Sequence, residues 1–352
     1  METKDNIPQN INIEKDLCFT SQSDNLNIYY DIYLPQETQQ SQAQQDLHAT
    51  KPTIIQIAHG MVEHKERYIW LCSQLAAHGY IVAISDHRGH GKSISSTHVW
   101  GEMGGTEATN DKDGFHKAIG DLYSLTQMLR ARFPHHRFIL LGHSMGSLLA
   151  RGYLKKHGEM LDGLILSGSP AYNPLLKTGI GMASFLRLIG AEKWGKNFIN
   201  SLSFGGFNRP FAKKDSNAKY STGEFAWLSR DIESVKAYRS DAACQFVFSL
   251  DSFIALFKGT LWVQEVLCEK SALNSKDLPK PPIYVISGAS DSCGDFGKGV
   301  QKMAQLLKDS GFEVTLKLYK EARHEIFQEI NKEEVLHDML EWLYNLADMK
   351  RD

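Results

Sequence analysis

Short apolar runs recur along the chain, bounded by turn residues and mostly followed by apolar residues at helical spacing. That alternation constrains the fold most, because a strand without a polar face must be covered on both sides. The runs are Thr53 to Ala58, Tyr80 to Ser85, Phe138 to Gly142, Leu164 to Ser167, Ile283 to Ser287 and Val314 to Tyr319. Ahead of them Leu26 to Leu34 alternates as a strand, with Ile28, Tyr30, Ile32 and Leu34 on one side. Helical patterns fall at Glu66 to His78, Asp113 to Phe133 and Ser147 to Lys156, and another closes the chain at Glu333 to Ala347. Gly79 suits a helix C-cap, and Pro134 stops the second helix. The expectation is an α/β fold, a mostly parallel sheet flanked by helices. Residues 171–246 break the rhythm, with helix-like patches interrupted by Gly and Pro and no convincing strand. They are expected to form a helical cap inserted into a core of residues 1–170 and 247–352. The Gln-rich stretch 36–50 is expected to be a solvated loop between strands.

Composition removes several classes of function. Of the 352 residues, 39 are Lys or Arg and 41 are Asp or Glu, for a formal net charge of -2. No basic excess is available for nucleic acid, and no polybasic run for an anionic membrane. Cys18, Cys72, Cys244, Cys268 and Cys293 include no C-x-x-C pair, so neither a zinc ribbon nor a disulfide framework is indicated. The reducing cytoplasm is the expected address. Met1 to Asp16 lacks the apolar core of a secretory signal, Glu2 excludes myristoylation, and Met349 to Asp352 is no prenylation box. No apolar stretch reaches the roughly 18 residues of a membrane span. Transient contact with a membrane surface through the cap stays open; crossing is not expected.

Gly142-His143-Ser144-Met145-Gly146 lies between an apolar strand and a helix. In that context G-x-S-x-G is a sharp turn that lifts a serine hydroxyl above the sheet edge. The N–H of Met145 then opens a helix, where partial positive charge can meet an oxyanion. A serine hydroxyl needs a base to take its proton and an acid to orient that base, in the chain order Ser, acid, His. Asp291 follows the strand ending at Ser287, with Asp295 as its competitor four residues on. His324 follows the strand ending at Tyr319. Both lie on loops leaving the sheet on the same edge as Ser144. The second oxyanion donor is expected from His59-Gly60-Met61, through the N–H of Met61. His59 reads as a structural hydrogen-bonder, and His87 and His90 as loop-stabilising residues. His59 and His64 do not match the H-E-x-x-H metal pattern, and the glycines at 179 and 181 follow no strand, so neither a metal nor a dinucleotide is expected.

Taken in order, His59-Gly60-Met61-Val62-Glu63-His64, Asp86-His87-Arg88-Gly89-His90-Gly91-Lys92-Ser93 and Gly142-His143-Ser144-Met145-Gly146 resemble one family. It is the α/β-hydrolase branch that holds monoacylglycerol lipases, lysophospholipases and serine aminopeptidase-like hydrolases. Trp227-Leu228-Ser229-Arg230-Asp231 and Ala322-Arg323-His324-Glu325-Ile326 are similar to its bacterial members. The resemblance implies Ser144 as nucleophile, Asp291 as acid, His324 as base, and Met61 and Met145 as the oxyanion hole. It implies a lipid ester as the small-molecule partner, a monoacylglycerol or lysophospholipid, and no cofactor. The family often carries Asp-Pro-Val at the acid, whereas Ser292-Cys293 follow Asp291 here. The alternatives are an aminopeptidase of the same fold and a non-catalytic receptor or scaffold; the latter usually lacks a triad member.

Overall fold

A computed structural model describes residues 7–36, 52–105, 112–211, 225–265 and 280–348. Its strands are β1 (Ile11–Thr20), β2 (Asn27–Pro35), β3 (Thr53–Ala58), β4 (Ile81–Ser85), β5 (Arg137–His143), β6 (Gly163–Ser167), β7 (Ile283–Gly288) and β8 (Val314–Tyr319). They form one sheet in the order β1-β2-β4-β3-β5-β6-β7-β8. The first two strands run antiparallel to their neighbours, and every pairing from β4 onward is parallel. The Gln-rich stretch beyond Gln36 lies outside the described residues.

Alternate residues of the central strands feed two separate cores, as the pleat requires. Phe138 and Leu140 join one cluster, while Ile139 and Leu141 join the other. The first is covered by α2 (Gly114–Arg132), α3 (Met145–His157) and α8 (Lys298–Asp309). The second is covered by α1 (Ile69–Ala77) and α9 (Lys332–Asp348), through Leu71, Leu75, Val335, Met339 and Leu343. Burial on both faces is why the strands read as continuous apolar runs.

β1 departs from the expected pattern. Its sequence, INIEKDLCFT, is charged because it forms the sheet edge and buries little beyond Ile11. A register shift between Glu14 and Leu17 interrupts the edge, and such bulges and charges discourage pairing with a second molecule. Two helices also start elsewhere than expected. Lys65–Tyr68 is a 3-10 turn ahead of α1, and α3 begins at Met145 rather than Ser147.

Between β6 and β7 come α4 (Leu176–Leu188), α5 (Glu192–Phe204), α6 (Ile232–Ser240) and α7 (Leu250–Glu265). We propose that α4 to α6 constitute the cap expected at 171–246. α7 packs against α4 on one side and against α2 and α3 on the other. No helix among the described residues is long and apolar enough to cross a membrane.

From β3 the chain steps to β4 on one side, and from β5 onward it builds towards β8 on the other. The strand order therefore reverses between β3 and β5, where open α/β sheets form a crevice for ligands. Gly142 and Gly146 let the backbones close up there. A Cβ on Gly142 would overlap the Gly146 carbonyl, and one on Gly146 would overlap the Ala58 carbonyl of β3.

Candidate active site

Ser144 sits where β5 turns into α3, with φ 52° and ψ -117°. That conformation is strained for a residue with a Cβ, at about 1–3 kcal/mol. Hydrogen bonds hold it: Ser144 N–H donates to the Ser167 carbonyl at 2.9 Å, and its own carbonyl accepts from Ser147 N–H at 2.9 Å and Ser147 Oγ at 2.6 Å. The hydroxyl is thereby lifted clear of the sheet.

His324 Nε2 lies 2.9 Å from Ser144 Oγ, and its Nδ1 lies 3.0 Å from Asp291 Oδ2. A carboxylate can only accept, so Nδ1 carries the proton and Nε2 is free to take one from the serine. Asp291 is wholly buried, and its other oxygen accepts the Cys293 N–H at 2.8 Å. That donor is the backbone N–H of position 293, so the bond does not depend on which side chain stands there. Asp295 is exposed, and its side chain makes no bond to His324 among the described residues. Burial would lower the His324 pKa. The charge and hydrogen bond of Asp291, joined by the charges of Glu325 and Glu63, outweigh it and raise the value above that of a free imidazole. Trp227 covers the ring with centroids 4.8 Å apart.

A Cβ built on Gly60 would come within 3.3 Å of Ser144 Cβ, so the loop after β3 passes directly beside Ser144. Neither Met61 N–H nor Met145 N–H is donated to a protein acceptor among the described residues. Met61 follows Gly60 in the chain, and Met145 follows Ser144. His59 accepts the His87 N–H at Nε2 (2.9 Å) and bonds the Gly60 carbonyl through Nδ1 (2.7 Å). Burial holds His59 well below the usual imidazole range and brings His87 to about 3 and His90 to about 4. Burial thus favours the neutral form of all three, and their hydrogen bonds brace the two loops.

Two groupings were not read from the sequence. Arg67, on the 3-10 turn, bonds both Glu63 and Glu325. His64 Nε2 lies 2.8 Å from Asp241 Oδ2, and with Cys244 these offer donor atoms within 4.8 Å of one another. Burial pushes the Cys244 thiol up, and the His64–Asp241 pair ties the β3 loop to the turn after α6. Residues so distant in the chain carry no spacing signal; only the His-Gly-x-x-Glu-His run hinted at one end.

Ser144 and His324 open into a cavity of about 830 Å³. Leu148, Leu176, Met182, Ile199, Leu256 and Phe257 line one part, and Glu63, Tyr238, Gln245 and Glu325 another. No Lys or Arg lines it among the described residues.

The family described as Serine aminopeptidase, S33 matches residues 50–331. A monoacylglycerol lipase of Mycolicibacterium smegmatis is 24% identical over 321 residues, 90% of this chain and 93% of that one. A monoglyceride lipase of Homo sapiens is 25% identical over 297 residues, 84% of this chain and 83% of its own. Among solved structures, a highly thermostable carboxyl esterase from Bacillus coagulans in complex with glycerol matches with a TM-score of 0.77 and 24% identity. That match covers 95% of this chain and 99% of the other, and the likeness is one of fold.

Proposed function

The chain belongs to the serine aminopeptidase S33 family of α/β-hydrolases, and from that premise we propose a carboxylic ester hydrolase whose substrate is a monoacylglycerol. The observation that carries the reading is the hydrogen-bonded line from Ser144 through His324 to Asp291, opening on a cavity with a large apolar part. Ser144 Oγ attacks the ester carbonyl carbon as His324 Nε2 takes the hydroxyl proton. The N–H groups of Met61 and Met145 receive the negative charge on the former carbonyl oxygen, and Asp291 stabilises the imidazolium. Collapse breaks the ester bond, and His324 returns the proton to the departing alcohol. Water, deprotonated by the same nitrogen, then releases the fatty acid from Ser144.

The cavity wall bears on the headgroup. A lysophospholipid carries a phosphodiester, which calls for Arg or Lys donors; the described wall offers none and instead presents Glu63 and Glu325. A neutral glycerol fits better. An aminopeptidase would need an acid for the substrate ammonium, but Glu63 and Glu325 are both engaged with Arg67. Glu192 accepts the Leu250 N–H and Asp231 caps α6, so these two are committed elsewhere. Asp215 and Glu224 lie outside the described residues.

The apolar side chains of residues 175–211 divide by position. Leu176, Met182, Ile199, Phe204 and Phe207 line the cavity, while Leu186 and Phe211 are buried in packing. Each CH₂ buried against such a wall contributes about 0.8 kcal/mol, or about fourfold in kcat/KM, until the cavity is full. A monoacylglycerol series kept below aggregation is expected to rise accordingly. A profile flat from acetate onward would make this a short-chain esterase.

A third group faces outward: Leu188 is 82% exposed and Trp194 58%, with Phe185, Ile189 and Phe198 nearby on α4, its end and α5. Apolar side chains gathered in this way suit a lipid surface. The protein is expected to float with neutral vesicles in a density gradient, and Leu188→Ser with Trp194→Ser to release it. Equal flotation of both proteins would remove the outer face from the interaction.

A further inference from the structure

The oxyanion loop follows β3 and the base loop follows β8, with β5, β6 and β7 between those strands. No ladder hydrogen bond can therefore set the distance between Gly60-Met61 and His324. A buried trio spans the gap instead. Arg67 Nη1 donates to Glu63 Oε2 at 3.0 Å and to Glu325 Oε1 at 2.6 Å, and Nη2 donates to Glu325 Oε2 at 2.7 Å. Glu63 Oε1 in turn accepts the Gly60 N–H and the Tyr68 hydroxyl. Glu325 is the residue after His324, and its N–H donates to the Leu228 carbonyl at 2.8 Å. The guanidinium carbon lies 4.7 Å from the centre of the Tyr238 ring on α6. All three charged side chains are less than a tenth exposed.

Stability alone is a poor reason for such an arrangement. Burying two carboxylates and one guanidinium costs solvation that their attraction barely repays, and well-packed apolar residues often serve as well or better. Apolar contacts, however, do not fix a direction. A planar guanidinium bonded twice to one carboxylate and once to another does.

We propose that Arg67 is a positioning residue: bridging Glu63 and Glu325, it holds the oxyanion loop and the base loop at the separation that attack by Ser144 requires. The inference rests on the hydrolase reading above. It leaves binding of the acyl chain largely alone, because the acyl part of the cavity is built from α3, α4, α5 and α7.

The test uses Arg67→Met, Arg67→Lys and the triple variant Glu63→Gln/Arg67→Met/Glu325→Gln, which leaves no charge of the trio unpaired. For each, the melting temperature, the kcat and KM for a soluble ester, and the rate of fluorophosphonate labelling are measured. Arg67→Met is expected to lower kcat by about 100-fold, the scale of a misplacement near 1 Å, with KM within about threefold. Labelling should slow in parallel. The lysine and triple variants are expected to recover most of the melting temperature but less than a tenth of kcat, since neither restores the forked bridge. Recovery of kcat to within about threefold in either, or a loss carried by KM, overturns the proposal and reduces the trio to charge balance. The parent protein separates the two readings: if it neither turns over esters nor is labelled at Ser144, the hydrolase reading itself has failed.

Discussion

Ester turnover by the Ser144→Ala variant is expected to fall by roughly three orders of magnitude or more, with the fold intact. The hydroxyl lost is the one 2.9 Å from His324 Nε2, whereas the backbone bonds that hold the turn are untouched. The companion variant Ser144→Gly should be equally inactive yet more stable. Glycine adopts φ 52° without the Cβ clash. Relief of about 1–3 kcal/mol of strain, less about 0.5–1 kcal/mol of chain entropy, leaves a net gain near 1 kcal/mol. For a chain of this size that is a rise of about 1–2 °C in Tm. A Gly variant that melts below the parent would mean the turn is not strained. An Ala variant with near-parental turnover would remove Ser144 from the chemistry.

Asp291→Asn is expected to reduce kcat by about 10⁴-fold, because an amide can donate to Nδ1 and so favours the wrong tautomer of His324. Asp295→Asn should stay within about twofold, as surface changes away from such contacts usually do. The pH profile adds an independent reading. His324 acts as a base only when neutral, and its pKa is raised, so activity is lost as pH falls through a value above the free-imidazole range. The negative charge of Asp291 is the largest influence raising it. Without that charge the acid limb of kcat/KM moves to lower pH. Loss of activity in the Asp295 variant instead, or an acid limb that stays put in Asp291→Asn, would reassign the acid.

Strands buried on both faces announced themselves, because β3 to β7 have no polar side to blur the run. The elbow was legible for a related reason: Gly142 and Gly146 are demanded by backbone contacts that admit no Cβ. β1 escaped notice since an edge strand is free to be charged, and Glu14, Lys15 and Asp16 mask its alternation. α7 was missed because its sequence, LDSFIALFKGTLWVQE, is apolar around most of its circumference, as befits a helix wedged between α4 and the core. The Arg67 trio was invisible for a different cause. Its members are ordinary charged residues, and 258 positions separate Arg67 from Glu325. Only folding makes them neighbours.

From β5 to β8 the order of strands in the sheet is also an order in time. Ser144 and Met145 follow β5 and Met61 follows β3, while Asp291 and His324 follow β7 and β8, beyond the inserted helices. During synthesis at about 5–20 residues per second, His324 emerges on the order of 10–40 s after Ser144. Through that interval the nascent chain carries the Ser144 hydroxyl without the imidazole that takes its proton in the proposed reaction. The outer edge of β6 meanwhile waits for β7, its only partner on that side, exposing unpaired backbone that invites association. A chain released early, anywhere within the inserted helices, would therefore be prone to aggregate and unable to cleave an ester. Chemical competence arrives only when the last strand docks.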